Sequence, residues 1–541
     1  MTSAIAADLV LRHGKIWPGY GLPLAESLAI SGNRILALGS DAEIEPLIGA
    51  QTKVVDLAGR FAMPGLNDAH LHLISTGLLR GQVDATADAA PTRKELLHAL
   101  QARAATTPKG EWIRARGFDQ TRYPDGLMPT AQELDAALPD HPVSVTRACG
   151  HVTIVNSLAF ARAGITADTP DPDGGVIGRE NGQLTGMLAE NAQNLVYSVQ
   201  PTPSLEEIID AIEAGGQHLA QFGITSCMDA ATGQIDGMTE IRAYHLALRD
   251  GRLPVRVWAT LLGDPGSSIV EPCHDVGLVT GVGNDMFRIG GVKVFTDGSA
   301  GGRTAWMRQP YHGQTNNYGV QMLPDAQLFE LVDRYTSMGY TMVCHGIGDA
   351  AIDQLIRAYE RVRAANPDDA RRHRIEHCGY ADAEMNQRML NSGILPAPQQ
   401  AFIYDFGDAY VSVLGPERGL RSYPIATWDR LGMKPSTGSD SPVCSPNPFP
   451  DIYAMLTRKT HKGTVMDASE ILTPELALRA YTEHGAYSQG AEKVKGRLEP
   501  GMLADVAVFD QDLLTADPET ILHHTRCEIT ILDGRIVHDR S

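Results

Sequence analysis

Strand-like and helix-like segments alternate through the middle of this 541-residue chain. That alternation restricts the fold more than any other feature, because successive parallel strands need a crossover, usually a helix, between them. Eight strand-like runs ending in polar residues occur at 61–72, 224–229, 254–261, 287–296, 340–345, 373–377, 394–400 and 434–440. Helical patterns lie between most of them. One of these, 204–222, opens with Ser204 as N-cap and Glu207 three residues on, the pattern of a capping box. Eight strands alternating with helices is the count of an α/β fold of the (β/α)8 TIM-barrel type. About 150 residues separate the first run from the second, where a strand-to-helix loop needs only about 2–6. Residues from about 80 to 200 are therefore expected to form an inserted α/β subdomain after strand 1, including a turn-rich loop at 170–175. Insertions at that end of a barrel usually cover the active site.

The two chain ends read as one small β domain. Residues 8–17 and 27–39 alternate apolar and polar side chains, with a turn at Ser31-Gly32-Asn33. Near the other end, 504–509 is a buried-strand run and 527–538 a hairpin turning at Asp533-Gly534. The expected division is 1–60 and 491–541 for the β domain, with the barrel over 61–490.

A net charge of −19 without any Lys- or Arg-rich run argues against nucleic acid or an anionic membrane as partner. No run of about 18 uncharged apolar residues occurs, so no membrane span is expected. The start, MTSAIAADLVLRHGK, lacks the basic and apolar regions of a signal peptide. Seven scattered cysteines without CxxC spacing fit a reducing, cytoplasmic setting. The remaining partner is a small-molecule substrate, and a homodimer is the base-rate expectation for assembly.

Polar residues gather at the C-terminal ends of the strand runs. His70 and His72 close the first, and their i, i+2 spacing turns both imidazoles to one side of an extended strand. Lys293 lies in the fourth run, His345 ends the fifth, His377 the sixth, and Asp440 the eighth. Four histidines and a carboxylate on one rim make a nitrogen/oxygen site suited to a divalent cation, zinc first, with iron and manganese also compatible. A lysine pointing into an apolar barrel has a poorly solvated ammonium. Carboxylation by CO2 to a bridging carbamate is one resolution, and an ion pair with Asp297 is another. Taken singly, each histidine reads as a hydrogen-bonded core residue and Asp440 as an N-cap. Their convergence at strand ends one, four, five, six and eight is what favours a site.

The sequence resembles the amidohydrolase superfamily, and within it the YtcJ-like group, amidohydrolase family 3. The likeness runs through Pro64-Gly65 before the His-x-His pair, Gly150-His151-Val152, Asn156-Ser157 and 185–190 (TGMLAE). It continues through 293–299 (KVFTDGS), Arg303-Thr304-Ala305, 345–349 (HGIGD), 374–377 (RIEH), Gly438-Ser439-Asp440 and 496–501 (GRLEPG) with Ala504-Asp505. The resemblance implies a barrel flanked by a β-sandwich built from both termini. It implies one or two divalent metals held by His70, His72, a carboxylated Lys293, His345, His377 and Asp440. Two departures stand out: Gly346 where the family commonly has alanine, and Gln399-Gln400 where it often has Gln-Pro.

A divalent cation acidifies water and polarises a carbonyl, and Asp440 is placed to act as general base and then acid. Those roles suit hydrolysis of a C–N bond in an amide, N-substituted formamide or N-acyl amine. The alternatives are a metal-dependent decarboxylase or isomerase on the same barrel, or a non-catalytic ligand-binding relic. Ser439 and Ser441 lack the G-x-S-x-G elbow of a serine nucleophile. His151, Arg303 and Tyr318 are candidate substrate contacts, set against a local loop hydrogen bond, an ion pair with Asp297 and simple packing, respectively. Trp306 also reads as packing. Alternation turns Cys344 and Cys378 away from the barrel axis.

Overall fold

The computed structural model describes residues 6–540 apart from 87–88, 119, 121–122, 148–151 and 173–174. Two compact units emerge, Met1–Ser75 with Ile208–Ser541, and Thr76–Glu207.

In the first unit seven parallel strands form one nearly closed, barrel-like sheet. Their order is Leu395–Ala397, Arg374–His377, Met342–Gly346, Phe287–Phe295, Arg256–Leu262, Ile224–Thr232 and Leu66–Leu71. Ile224–Thr232 and Arg256–Leu262 are buried at every position, as expected of strands covered on both faces. The helix expected over 204–222 spans Leu205–Ala220. Its capping box is formed, with Ser204 N donating to Glu207 Oε2 (2.7 Å) and Glu207 N donating to Ser204 Oγ (3.3 Å).

Three expected strands are corrected. Residues 434–440 are not a strand. Pro435 has no N–H to give, and Lys434 and Asp440 have φ of 55° and 54°, outside the β region. The segment nevertheless lies against the first barrel strand. Ala69 N donates to Thr437 O (3.0 Å), Asp440 N to His70 O (2.7 Å) and His72 N to Ser441 O (2.7 Å). The run 61–72 is two strands, Phe61–Pro64 and Leu66–Leu71, which belong to different sheets. Gly65 separates them where a Cβ would stand 2.2 Å from Thr225 Oγ1. The run 394–400 is strand only over Leu395–Ala397, because 398–400 lead into the helix Ala401–Leu414.

The chain ends contribute two more sheets. One has the order Arg34–Gly39, Ser27–Ser31, Leu9–Arg12, Lys53–Asp56. The other runs Lys15–Ile16, Phe61–Pro64, Val506–Phe509, Cys527–Leu532, Arg535–Asp539. Leu11, Leu28 and Ile30 from the first share a core with Val506, Val508, Ile529 and Ile531 from the second. Asp533 and Gly534, with φ of 53° and 75°, make the tight turn between the last two strands.

The second unit carries a six-stranded mixed sheet ordered Gly175–Glu180, Gln183–Glu190, Val152–Val155, Val143–Arg147, Ile113–Phe118, Val83–Asp84. Leu96, Leu100, Ile113, Val145 and Ile154 lie in its core. Among the described residues no helix is long and apolar enough to cross a membrane.

Gly438 is the tightest point of the seam between the first strand and the eighth segment. A Cβ there would stand 2.5 Å from His70 N and 2.6 Å from Asp68 Oδ1. Gly438→Ala is expected to destabilise the protein by about 1–3 kcal/mol, the usual cost of overpacking. A thermal unfolding midpoint equal to that of the wild type would refute this account of the seam.

Candidate metal centre

His70 is the last residue but one of a strand that is buried at every position, and His72 follows directly after that strand. Both imidazoles point at Asp440 across the seam, with Nε2 to Oδ1 separations of 3.5 Å for His70 and 3.3 Å for His72. One ligand atom from each of the three lies within 4.8 Å of the others. His377 sits beside them, its ring centroid 4.8 Å from that of His70. On its other side His345 is 4.5 Å away, centroid to centroid.

The hydrogen bonds behind these rings set their tautomers. Gln399 Nε2 donates to Ala397 O (3.1 Å), so its amide oxygen is the atom that faces His377 Nδ1 at 2.6 Å. His377 therefore donates through Nδ1 and keeps its Nε2 lone pair. His70 Nδ1 in the same way meets the buried carboxylate of Glu376. That leaves His70 Nε2 and Asp440 Oδ1, both buried and both without a hydrogen-bond partner among the described residues, as two acceptors facing one another. Such a pairing is unfavourable unless a cation lies between them. The donor set, imidazole nitrogens with a carboxylate oxygen, is one that divalent zinc accepts. On both counts the residues fit a metal ion.

Charge around the centre is strongly perturbed. Burial pushes the Asp440 carboxyl up, but the nearness of the His70, His72 and His377 rings outweighs it and holds the group well below the usual range. For Glu376 burial acts upward too, and the charges of Arg374 and His70 overcome it, leaving the carboxyl at about 2. Burial drives His377 far below the ordinary histidine value. Lys293 is fully buried on the fourth strand, with Nζ 4.9 Å from the centre of the Phe295 ring and no hydrogen-bond partner. Burial lowers its ammonium, against the upward pull of Glu376 and Asp440.

His345 is brought near His377 but turned elsewhere. Its Nε2 faces Gly298 O (3.1 Å) and Asp297 Oδ1 (3.3 Å). Asp297 does not pair with Lys293 or Arg303. It accepts the backbone N–H groups of Trp306 (2.9 Å), Ile347 (3.0 Å) and Gly348 (2.8 Å) instead, pinning the loop after the fourth strand to the end of the fifth. Arg303 is exposed and its guanidinium has no ion pair among the described residues. Tyr318 is 44% exposed. His151 lies outside the described residues. Cys344 and Cys378 are buried, and burial raises the Cys344 thiol to about 12, consistent with small core residues.

Glu376 and Arg374 escaped the sequence reading although their motif was in view. In a regular strand neighbouring side chains take opposite faces, so His377 facing the site would turn Glu376 away. His377 and Cys378 have φ of 67° and 50°. That departure from strand geometry lets both Glu376 and His377 reach His70.

The chain is 28% identical to the N-substituted formamide deformylase of Arthrobacter pascens over 526 residues, covering 96% of this chain and 95% of that one. Identity to YtcJ of Bacillus subtilis (strain 168) is 29% over 524 residues, covering 95% and 96%. Among solved structures, an uncharacterized metal-dependent hydrolase from Pyrococcus furiosus superposes with a TM-score of 0.77 at 26% identity, over 94% of this chain and 100% of that one. The sequence matches the amidohydrolase family over residues 53–538, and the chain belongs to that family.

Proposed function

We propose that the protein is a metal-dependent hydrolase of a non-peptide C–N bond, with N-substituted formamides and N-acyl amines as its substrate class. The observation that carries the metal centre is the pair of buried acceptors, His70 Nε2 and Asp440 Oδ1, facing each other without a donor between them. The substrate class is supported by the near full-length likeness to a protein named as a formamide deformylase. His70, His72 and Asp440 would hold the first ion, with zinc preferred. Lys293, His345 and His377 complete the proposed ligand set. His345 would have to turn its Nε2 from Gly298 to join it. The proposed division of the chain is a barrel over 61–490 with an insert at about 80–200, and a β-sandwich from 1–60 and 491–541. Six free, buried cysteines favour a reducing cytoplasm.

When bound, a divalent ion supplies an acidified water and polarises the substrate carbonyl. Asp440, kept ionised by its histidine neighbours, accepts the proton of the attacking water at its carboxylate and returns it to the departing nitrogen. In its deprotonated form, which burial favours, Lys293 can add through its nitrogen to the carbon of CO2, losing one proton to give a carbamate. Such a carbamate replaces a cation that repels the ion with an anion that attracts it.

His70→Ala with His72→Ala should remove most of the metal found in the wild type by elemental analysis, since two ligands go at once. Unchanged metal content in that variant would sink the assignment.

Zinc-loaded wild type should release formate and amine from N-substituted formamides. Asp440→Asn should remain folded with kcat lowered by about 10²–10⁴, the usual cost of losing a general base. Turnover by the variant near the wild-type rate would show that another group handles the proton. An absence of hydrolysis across formamides, N-acyl amines and cyclic amides would refute the substrate class.

Metal-free protein should recover activity with zinc faster when bicarbonate is present, and Lys293→Met should abolish that dependence. Equal recovery with and without bicarbonate would leave Lys293 a plain amine.

A further inference from the structure

Glu376 stands outside the residues proposed to hold the ion, yet it touches one of them directly. It is fully buried, and so is Arg374. Arg374 grips it with two parallel bonds, Nε to Oε1 at 2.8 Å and Nη2 to Oε2 at 2.9 Å. The same guanidinium donates to Ala69 O (2.9 Å), the carbonyl immediately before His70, and to Ser488 Oγ (3.2 Å). The pair is thus clamped between the sixth strand, the first strand and the helix Glu483–Ser488. One contact remains, between Oε2 and His70 Nδ1.

A carboxylate held in this fork is an acceptor only, so the proton between it and His70 belongs to Nδ1. His70 Nε2 then carries a lone pair on the Asp440 side. His377 has the neutral amide of Gln399 in the corresponding position. The two rings are therefore oriented in the same way but not made equally basic, because a charged acceptor pulls on the N–H more strongly than an amide does.

We propose that Glu376, clamped by Arg374, is a positioning residue that fixes His70 in the Nδ1–H tautomer and strengthens its Nε2 as a ligand. The inference rests on reading the site as a metal centre. Partners of this kind typically change metal affinity by about 10–100-fold when removed.

Removing Glu376 alone would strand a buried guanidinium, so the test removes both charges. Arg374→Met/Glu376→Leu keeps comparable bulk and leaves His70 Nδ1 without an acceptor. Arg374→Met/Glu376→Gln keeps an oxygen there. In chelator competition the first is expected to bind zinc about 10–100-fold more weakly than wild type, and the second to recover most of that loss. Wild-type affinity in the Leu variant, or equal losses in both, would overturn the proposal. A measurement on the unmodified protein guards against misfolding of the variants. In 15N-labelled, zinc-loaded wild type, the His70 ring signals, assigned by their loss in His70→Ala, should report a protonated Nδ1. A protonated Nε2 would overturn the proposal outright. Wild type that binds no metal at all would end the metal-centre reading itself, a separate result.

Discussion

The seam between Leu66–Leu71 and the segment 434–440, at the edge of the nearly closed sheet, is the constraint on which the site depends. His70 and His72 come from one side of that seam and Asp440 from the other. Three backbone hydrogen bonds, from Ala69, His72 and Asp440, fix their register. A slip of one residue would turn the histidines out of the site. Asp68 reinforces the seam from below. It accepts Ser439 Oγ (2.6 Å) and Ser439 N (3.1 Å), together with His70 N (3.2 Å). Burial nevertheless pushes its carboxyl up to about 7, against the pull of those donors. A buried acid at the seam is tolerable because several donors converge on it.

The charges above the seam follow one logic. Carboxylates buried beside the site are met by donors. Glu376 has Arg374 and His70, and Asp297 has three backbone N–H groups with His345. Asp440 Oδ1 breaks the rule, as does Lys293 Nζ. Two such exceptions of opposite charge type at one site mark where an absent charge belongs. A metal ion near Asp440 and a carbamate on Lys293 would remove both at once, which is why the two proposals support each other.

The sequence made the barrel legible because parallel strands buried on both faces read as plain apolar runs separated by helices. His70 and His72 were legible through their place at the end of a strand run, whereas Asp440 was singled out as the end of a strand that does not form. What it concealed has physical causes. Residues 61–66 carry no polar side chain, so nothing in the pattern shows that Gly65 hands the chain from one sheet to another. In 434–440, Pro435 and the positive φ values prevent a ladder, while the ends of the segment still meet the first strand. Glu376 was hidden by the alternation rule that correctly placed its neighbours, since the exception lies in the backbone angles of His377 and Cys378. The ring orientation of His345 depends on Gly298 and Asp297, which spacing along the chain does not report.

Interruption of the end sheets by the barrel also has a mechanical consequence for His70. Phe61–Pro64 pairs antiparallel with Val506–Phe509, and Gly65 N then donates to Asp505 O (2.9 Å) before the chain enters the barrel. Asp505 in turn forms a buried bidentate pair with Arg256 of the third barrel strand, Nε to Oδ2 at 2.7 Å and Nη2 to Oδ1 at 2.9 Å. Removing one partner of such a pair typically costs about 3–5 kcal/mol, because the other charge is left buried. The first strand is thus anchored at its base to a segment from the far end of the sequence, and at its top to the segment bearing Asp440. With both ends of a six-residue strand fixed, the imidazole of His70 has little freedom left except rotation about its own side chain. Glu376 Oε2 meets the ring at Nδ1 and opposes that rotation.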